Sequence, residues 1–207
     1  MSSAFPTIDW AWAERTGHRL VPIGPEATDD EKHELVADLR ESARRAPALV
    51  AEAAGLSRTG NADERVVDRL GWISGNVAIA RSVVDHISEP ELDSAGKRVA
   101  AKVIGTQLGT ALAFLATKVL GQYDPFSEHP SLMLVAPNVM HIERELHFVP
   151  HDFRMWVCLH EQTHRVQFAT APWLSAHLLG LVRVAVDEEL GSGDSTTAMV
   201  GRVLDHV

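Results

Sequence analysis

The chain of 207 residues has a single cysteine, Cys158, which excludes an internal disulfide framework and any cysteine-based zinc finger. Set among large apolar residues, that thiol reads as a buried structural side chain rather than a reactive one. Basic residues are also scarce, 19 against 28 acidic ones, for a formal charge of −9. Nucleic acid and anionic membrane are therefore not expected as partners. No uninterrupted apolar run is long enough to span a bilayer: "VIGTQLGTALAFLATKVLG" is broken by Gln107 and Lys118, so it reads as a buried helix. The start, "MSSAFPTIDWAWAERTG", has no basic stretch followed by an apolar one, and a cytoplasmic protein without a leader is expected. Also absent are a phosphate-binding glycine loop and a G-x-S-x-G elbow, which leaves nucleotide binding and serine hydrolysis unsupported.

With 45% hydrophobic residues there is ample material for a core. The pattern predicts a mainly α (α+β) protein, with an N-terminal helical region over 1–120 and a region over 121–207 that holds whatever chemistry there is. Residues 1–28 read as irregular, with Trp10 and Trp12 lying on the body of the protein. A helix starts at Asp29 on the spacing of Leu35, Val36, Leu39 and Ala43 and should break or kink at Pro47. "GLSRTGNADE" reads as a loop, and Val66, Val67, Leu70, Ile73 and Val77 begin a second helix. After the break at "SEPELDSAG" comes the helix with Gly105 and Gly109, four apart as close helix packing requires. "GQYDPFSEHP" is turn chemistry and "SLMLVAP" a buried strand. "IERELHFVP" alternates as a half-exposed strand, its Ile142, Leu146 and Phe148 on one side. The next helix is capped by Asp152 and ends at Pro172. "WLSAHLLGLVRVAVDEEL" is helical, and "TTAMVGRVLDHV" begins another helix with no stop signal, so a chain continuing past residue 207 is expected.

The helix ending at Pro172 contains "WVCLHEQTHRVQF", Trp156 to Phe168. Residues four apart share a helix face, so His160 and His164 can offer two imidazole nitrogens to one ion. Glu161 follows His160 and is near enough to accept a proton from water activated by a metal. The alternative is a pair of core histidines hydrogen-bonded to carboxylates. A third histidine six residues after the second is excluded, because that position is Thr170 and the matching glycine position is Gln167. The remaining candidates for a third ligand are His177, Asp187, Glu188 and Glu189. His141, His147 and His151 read as polar residues of an exposed strand face and its turn, although His147, like Arg165, is a candidate for oxyanion stabilisation.

"YDPF" (Tyr123 to Phe126), "LVAPNV" (Leu134 to Val139), "FRMWVCLHEQTHRVQF" (Phe153 to Phe168) and "PWLSAHL" (Pro172 to Leu178) together resemble the zincin-like metallopeptidase family common in actinobacteria. Members of that family are often labelled hydrolases or proteins associated with biosynthesis of the deazaflavin coenzyme F420. The resemblance implies a helical zincin-like domain with a small sheet before the H-E-x-x-H helix. It implies zinc on His160 and His164, Glu161 as general base, and a peptide or protein substrate lying along the strand 144–149. It also implies a glutamate ligand in an L-L-E-G-H-like helix downstream, and no such stretch occurs in these residues. Two functions follow: a zinc-dependent hydrolase of the metallopeptidase kind, and a catalytically inactive zincin-like domain that binds metal or protein.

Overall fold

A computed structural model describes residues 7–56, 60–87 and 95–192, with backbone alone for 87, 95–97 and 185–192. Among them are seven helices and three strands, the mainly helical architecture with a small sheet that the sequence predicts. No helix among the described residues is long and apolar enough to cross a membrane. The chain forms two compact units, each built from separated segments: one from 1–21, 73–116 and 176–207, the other from 22–72 and 117–175. The expected helix at "TTAMVGRVLDHV" and the break at 88–94 lie outside the described residues.

The first unit holds α1 (Trp10–Leu20), most of α3 (Arg69–Ile87), α4 (Ala95–Leu115) and most of α7 (Trp173–Ser192). Helix α1 corrects the expectation of an irregular N-terminus. Asp9 supplies its cap by accepting a hydrogen bond from the Trp12 amide at 2.9 Å, a local signal hidden between prolines. The two glycines of α4 act as expected. A Cβ on Gly105 would stand 2.7 Å from the Asp9 carbonyl oxygen, and one on Gly109 2.3 Å from that of Ala13. Trp12 lies against α4, donating from Nε1 to Thr106 Oγ1 at 2.8 Å.

The second unit contains α2 (Asp29–Ala54), β1 (Asp63–Val67), β2 (Gly121–Asp124), β3 (Ser131–Val135), α5 (Ala136–Glu145) and α6 (Pro150–Thr170). Its sheet runs β1-β3-β2, with β1 parallel and β2 antiparallel to the wholly buried β3. Helices α2 and α6 enclose a core that includes Leu35, Leu39, Ala43, Val157 and Cys158. Burying each of its leucine and valine side chains stabilises the fold by roughly 1.5–3 kcal/mol.

Several local expectations are corrected here. Val66 and Val67 belong to β1, which also ends the supposed loop; a strand of five residues paired to distant Ser131–Val135 leaves little local signal. Residues 121–124 are a strand rather than a turn. The turn begins at Asp124, whose Oδ1 accepts from the amides of Phe126 and Ser127 at 2.9 and 3.4 Å. Residues 136–145 are helical, not a strand: Pro137 opens α5, and the spacing of Ile142 and Leu146 fits a helix as well as an alternation. His147, at φ 55, then reverses the chain, and the Phe148 amide bonds back to the Glu143 carbonyl at 3.1 Å. Helix α6 starts at Pro150 without a side-chain cap, and Asp152 sits in its first turn. Helix α2 passes through Pro47 to Ala54 because another group serves the carbonyl that proline leaves unpaired.

Candidate metal site on helix α6

That group is Gln162, inside the H-E-x-x-H turn. A proline at position 47 has no N–H for the carbonyl of Ala43 four residues back. Gln162 Nε2 donates to that oxygen at 3.1 Å and to Glu64 Oε1 on β1 at 2.9 Å. Arg165 extends the network, donating to Glu64 Oε1 at 2.7 Å and to the Gly60 carbonyl at 2.8 Å. Gln162 thus ties the inner face of α6 to α2 and to β1, and Arg165 adds a second tie to β1. Cys158, on the same face, is fully buried, its S–H directed at the Leu39 carbonyl at 3.7 Å. Burial pushes its thiol up to about 12, as a structural cysteine requires.

The outer face carries the histidines. His160 and His164 are both exposed, with ring centroids 5.3 Å apart at 87°. Their exposure overturns the alternative of a buried, carboxylate-bonded pair. His164 Nδ1 lies 3.1 Å from Gln167 Oε1, and in the tautomer with the proton on Nδ1 this contact is a hydrogen bond that leaves Nε2 its lone pair. A side-chain oxygen bonded to one ring nitrogen is the usual support of a histidine that ligates a metal through the other.

Glu161, between the two histidines in sequence, is 7% exposed and packs against strand β2. A Cβ on Gly121 would stand 2.5 Å from Glu161 Cγ, so only glycine leaves room for this carboxyl. Burial is what pushes its pKa up, to about 7. Strand β2 is an edge strand of the described sheet, and the carboxyl packs against its first residue. Two residues along β2, the Tyr123 ring meets Phe168 of α6 with centroids 5.7 Å apart. Nothing in the sequence marks Gly121 as part of a site, since it reads only as the glycine after an apolar helix.

No other candidate with a described side chain joins this pair in a group that could hold a metal ion. His141 pairs with Glu145 at 3.4 Å and His151 with Asp38 at 3.0 Å. His147 serves the turn after α5, and Arg165 is bound into the inner network. His177 lies on α7, and the side chains of Asp187, Glu188 and Glu189 fall outside the described residues. Among the described residues no group of three or more His, Cys, Asp or Glu side chains is gathered closely enough to hold a metal ion. The donor chemistry of His160 and His164 fits zinc as two of its three protein ligands, and the third is not among the described side chains.

Known proteins bear on this geometry in three ways. No curated protein matches the chain. A solved structure from Chloroflexus aurantiacus, described as that of a candidate hydrolase with a novel fold, is similar at 25% identity with a TM-score of 0.62. The similarity covers 89% of this chain and 59% of that one, so this chain spans less than two thirds of its length. The model of the zincin-like metallopeptidases matches residues 8–199, through both compact units and across the whole H-E-x-x-H helix. A match of that extent settles the ancestry: the chain belongs to the zincin-like metallopeptidase family.

Proposed function

We propose that this member of a zinc-hydrolase family cleaves peptide bonds, with His160 and His164 holding zinc and Glu161 as general base. The observation that carries the reading is the division of labour on one helical turn: two imidazoles face solvent, while the carboxylate between them is buried against the edge strand. Zinc, when bound, supplies a Lewis acid that polarises a carbonyl and acidifies water. Glu161 takes the proton of the attacking water and returns it to the leaving amine. Extended peptide pairs with the edge of β2, and this strand takes the role first expected of residues 144–149.

Glu161→Gln should retain zinc and fold while losing roughly 10²–10⁴ in turnover, the usual contribution of a general base. His164→Ala should lose the metal. Unchanged turnover in Glu161→Gln would overturn the assignment. The second reading, a metal- or protein-binding module without catalysis, is favoured by the lack of a third ligand among the described residues. Under it the wild type, loaded with zinc, turns over no peptide.

A further inference from the structure

Next to the histidine pair, the surface of the second unit opens into a trough of about 710 Å3 between α5 and the start of α6. Leu120, Ile142, Leu146, Phe148, Phe153 and Trp156 form most of its wall. Leu146 is 55% exposed, Phe148 44% and Trp156 56%. Large apolar side chains left in water together, rather than singly, mark a binding surface. An unbroken series of rings joins the trough to the candidate site. Phe148 lies 4.9 Å from Phe153, Phe153 6.1 Å from Trp156, and Trp156 5.8 Å from His160.

The trough is also held from behind. His147 adopts the left-handed conformation that brings Phe148 over Phe153, a conformation disfavoured for a residue with a Cβ. The turn hangs on the Glu143 carbonyl, and the Glu143 side chain is gripped by buried Arg154 through two hydrogen bonds of 2.8 and 2.9 Å. The one charged residue in the lining is Asp152, which disfavours an acidic occupant.

We infer that this trough is a substrate subsite for a large aliphatic or aromatic side chain close to the scissile bond. The inference rests on the proposed peptidase reading and names its substrate class. An extended peptide advances roughly 3.3 Å per residue, so a residue one or two beyond a carbonyl at His160 stands over Trp156. Selectivity follows from shape and dryness: aromatic or leucyl side chains fill the trough, alanyl ones leave it wet, and acidic ones meet Asp152.

The test uses the zinc-loaded protein and an end-blocked pentapeptide series, Ala-Ala-X-Ala-Ala, with X as Phe, Leu, Ala or Asp. Cleavage is followed in the wild type and binding in Glu161→Gln. The expected result is a preference for Phe and Leu over Ala of roughly 10- to 200-fold in both readouts, with Asp poorest. Trp156→Ala should erase most of it, and Leu146→Lys, at an equally exposed position, should do the same without touching the aromatic series. Cleavage without such a preference, or with one that neither variant moves, overturns the subsite and leaves the hydrolase. Preferential binding without cleavage overturns the hydrolase and leaves the subsite. Failure of both readouts overturns both. A dimer in sedimentation that Trp156→Ala dissolves and the Phe peptide does not displace would assign the trough to a second copy of the chain, against the inference.

Discussion

The pairing of Pro47 with Gln162 makes a quantitative prediction. Ala43 is 1% exposed, so its carbonyl cannot turn to water for the hydrogen bond that Pro47 denies it. Gln162→Leu keeps the volume and removes the donor. It strands that carbonyl and takes one hydrogen bond from the Glu64 carboxylate, which still has Arg165. An unsatisfied buried group costs about 1–3 kcal/mol, and a hydrogen bond to a charged group contributes about as much, so a loss of about 2–4 kcal/mol is expected. In a Pro47→Ala background residue 47 regains an N–H that can reach the Ala43 carbonyl, and the same substitution should cost about 1–2 kcal/mol less. The assay is a double-mutant cycle by urea denaturation, read by tryptophan emission in chelator so that metal plays no part. A coupling of zero, with Gln162→Leu costing the same in both backgrounds, would refute the reasoning and make Gln162 a mere space-filler.

Arg154 is 6% exposed and Glu143 8%, so Arg154→Met should cost about 3–5 kcal/mol in a melt by leaving a buried carboxylate unpaired. Arg154→Met with Glu143→Leu should recover most of that loss. Gly121→Ala drives a methyl into Glu161 Cγ and should cost about 1–3 kcal/mol by denaturation, with partial recovery on adding Glu161→Ala. His147→Gly relieves the positive φ at an exposed position and should raise stability by about 0.5–1 kcal/mol in the same assay. Cys158 has its pKa raised from 9.0 to about 12. Its contribution to stability is therefore complete below pH 9 and declines as pH rises toward 12, because the unfolded thiol ionises first. At pH 8 a thiol reagent should modify Cys158 only as fast as the protein opens; faster labelling would contradict the burial.

What could be read in the sequence was what is local. Helix α2 begins where Thr28 and Glu31 form a reciprocal cap, α6 ends before Pro172, and β3 is apolar from end to end. The two histidines of α6 share a face because helix geometry requires it. What escaped was set by partners far along the chain. The strand character of Asp63–Val67 depends on β3, the continuity of α2 at Pro47 depends on Gln162, and the role of Gly121 depends on Glu161. Residues 142–149 misled for a different reason. One left-handed residue after α5 throws Phe148 back beside Phe153, so a helix and its reversal imitate the alternation of a strand.

The parallel pairing of β1 with β3 also has a consequence for how the protein is made. Asp63 is aligned with Ser131, and all of α3 and α4 lies between them in the chain. During synthesis β1 therefore emerges with no partner and waits until both helices have followed it out of the ribosome. Ordering so long a connection must precede the reward of strand pairing, which makes closure of the sheet slow. The histidine-bearing helix is later still in the chain, and its inner face is anchored to β1 through Glu64. The candidate site on that helix therefore gains its inner-face anchors only after β1 has waited for α6 to follow it.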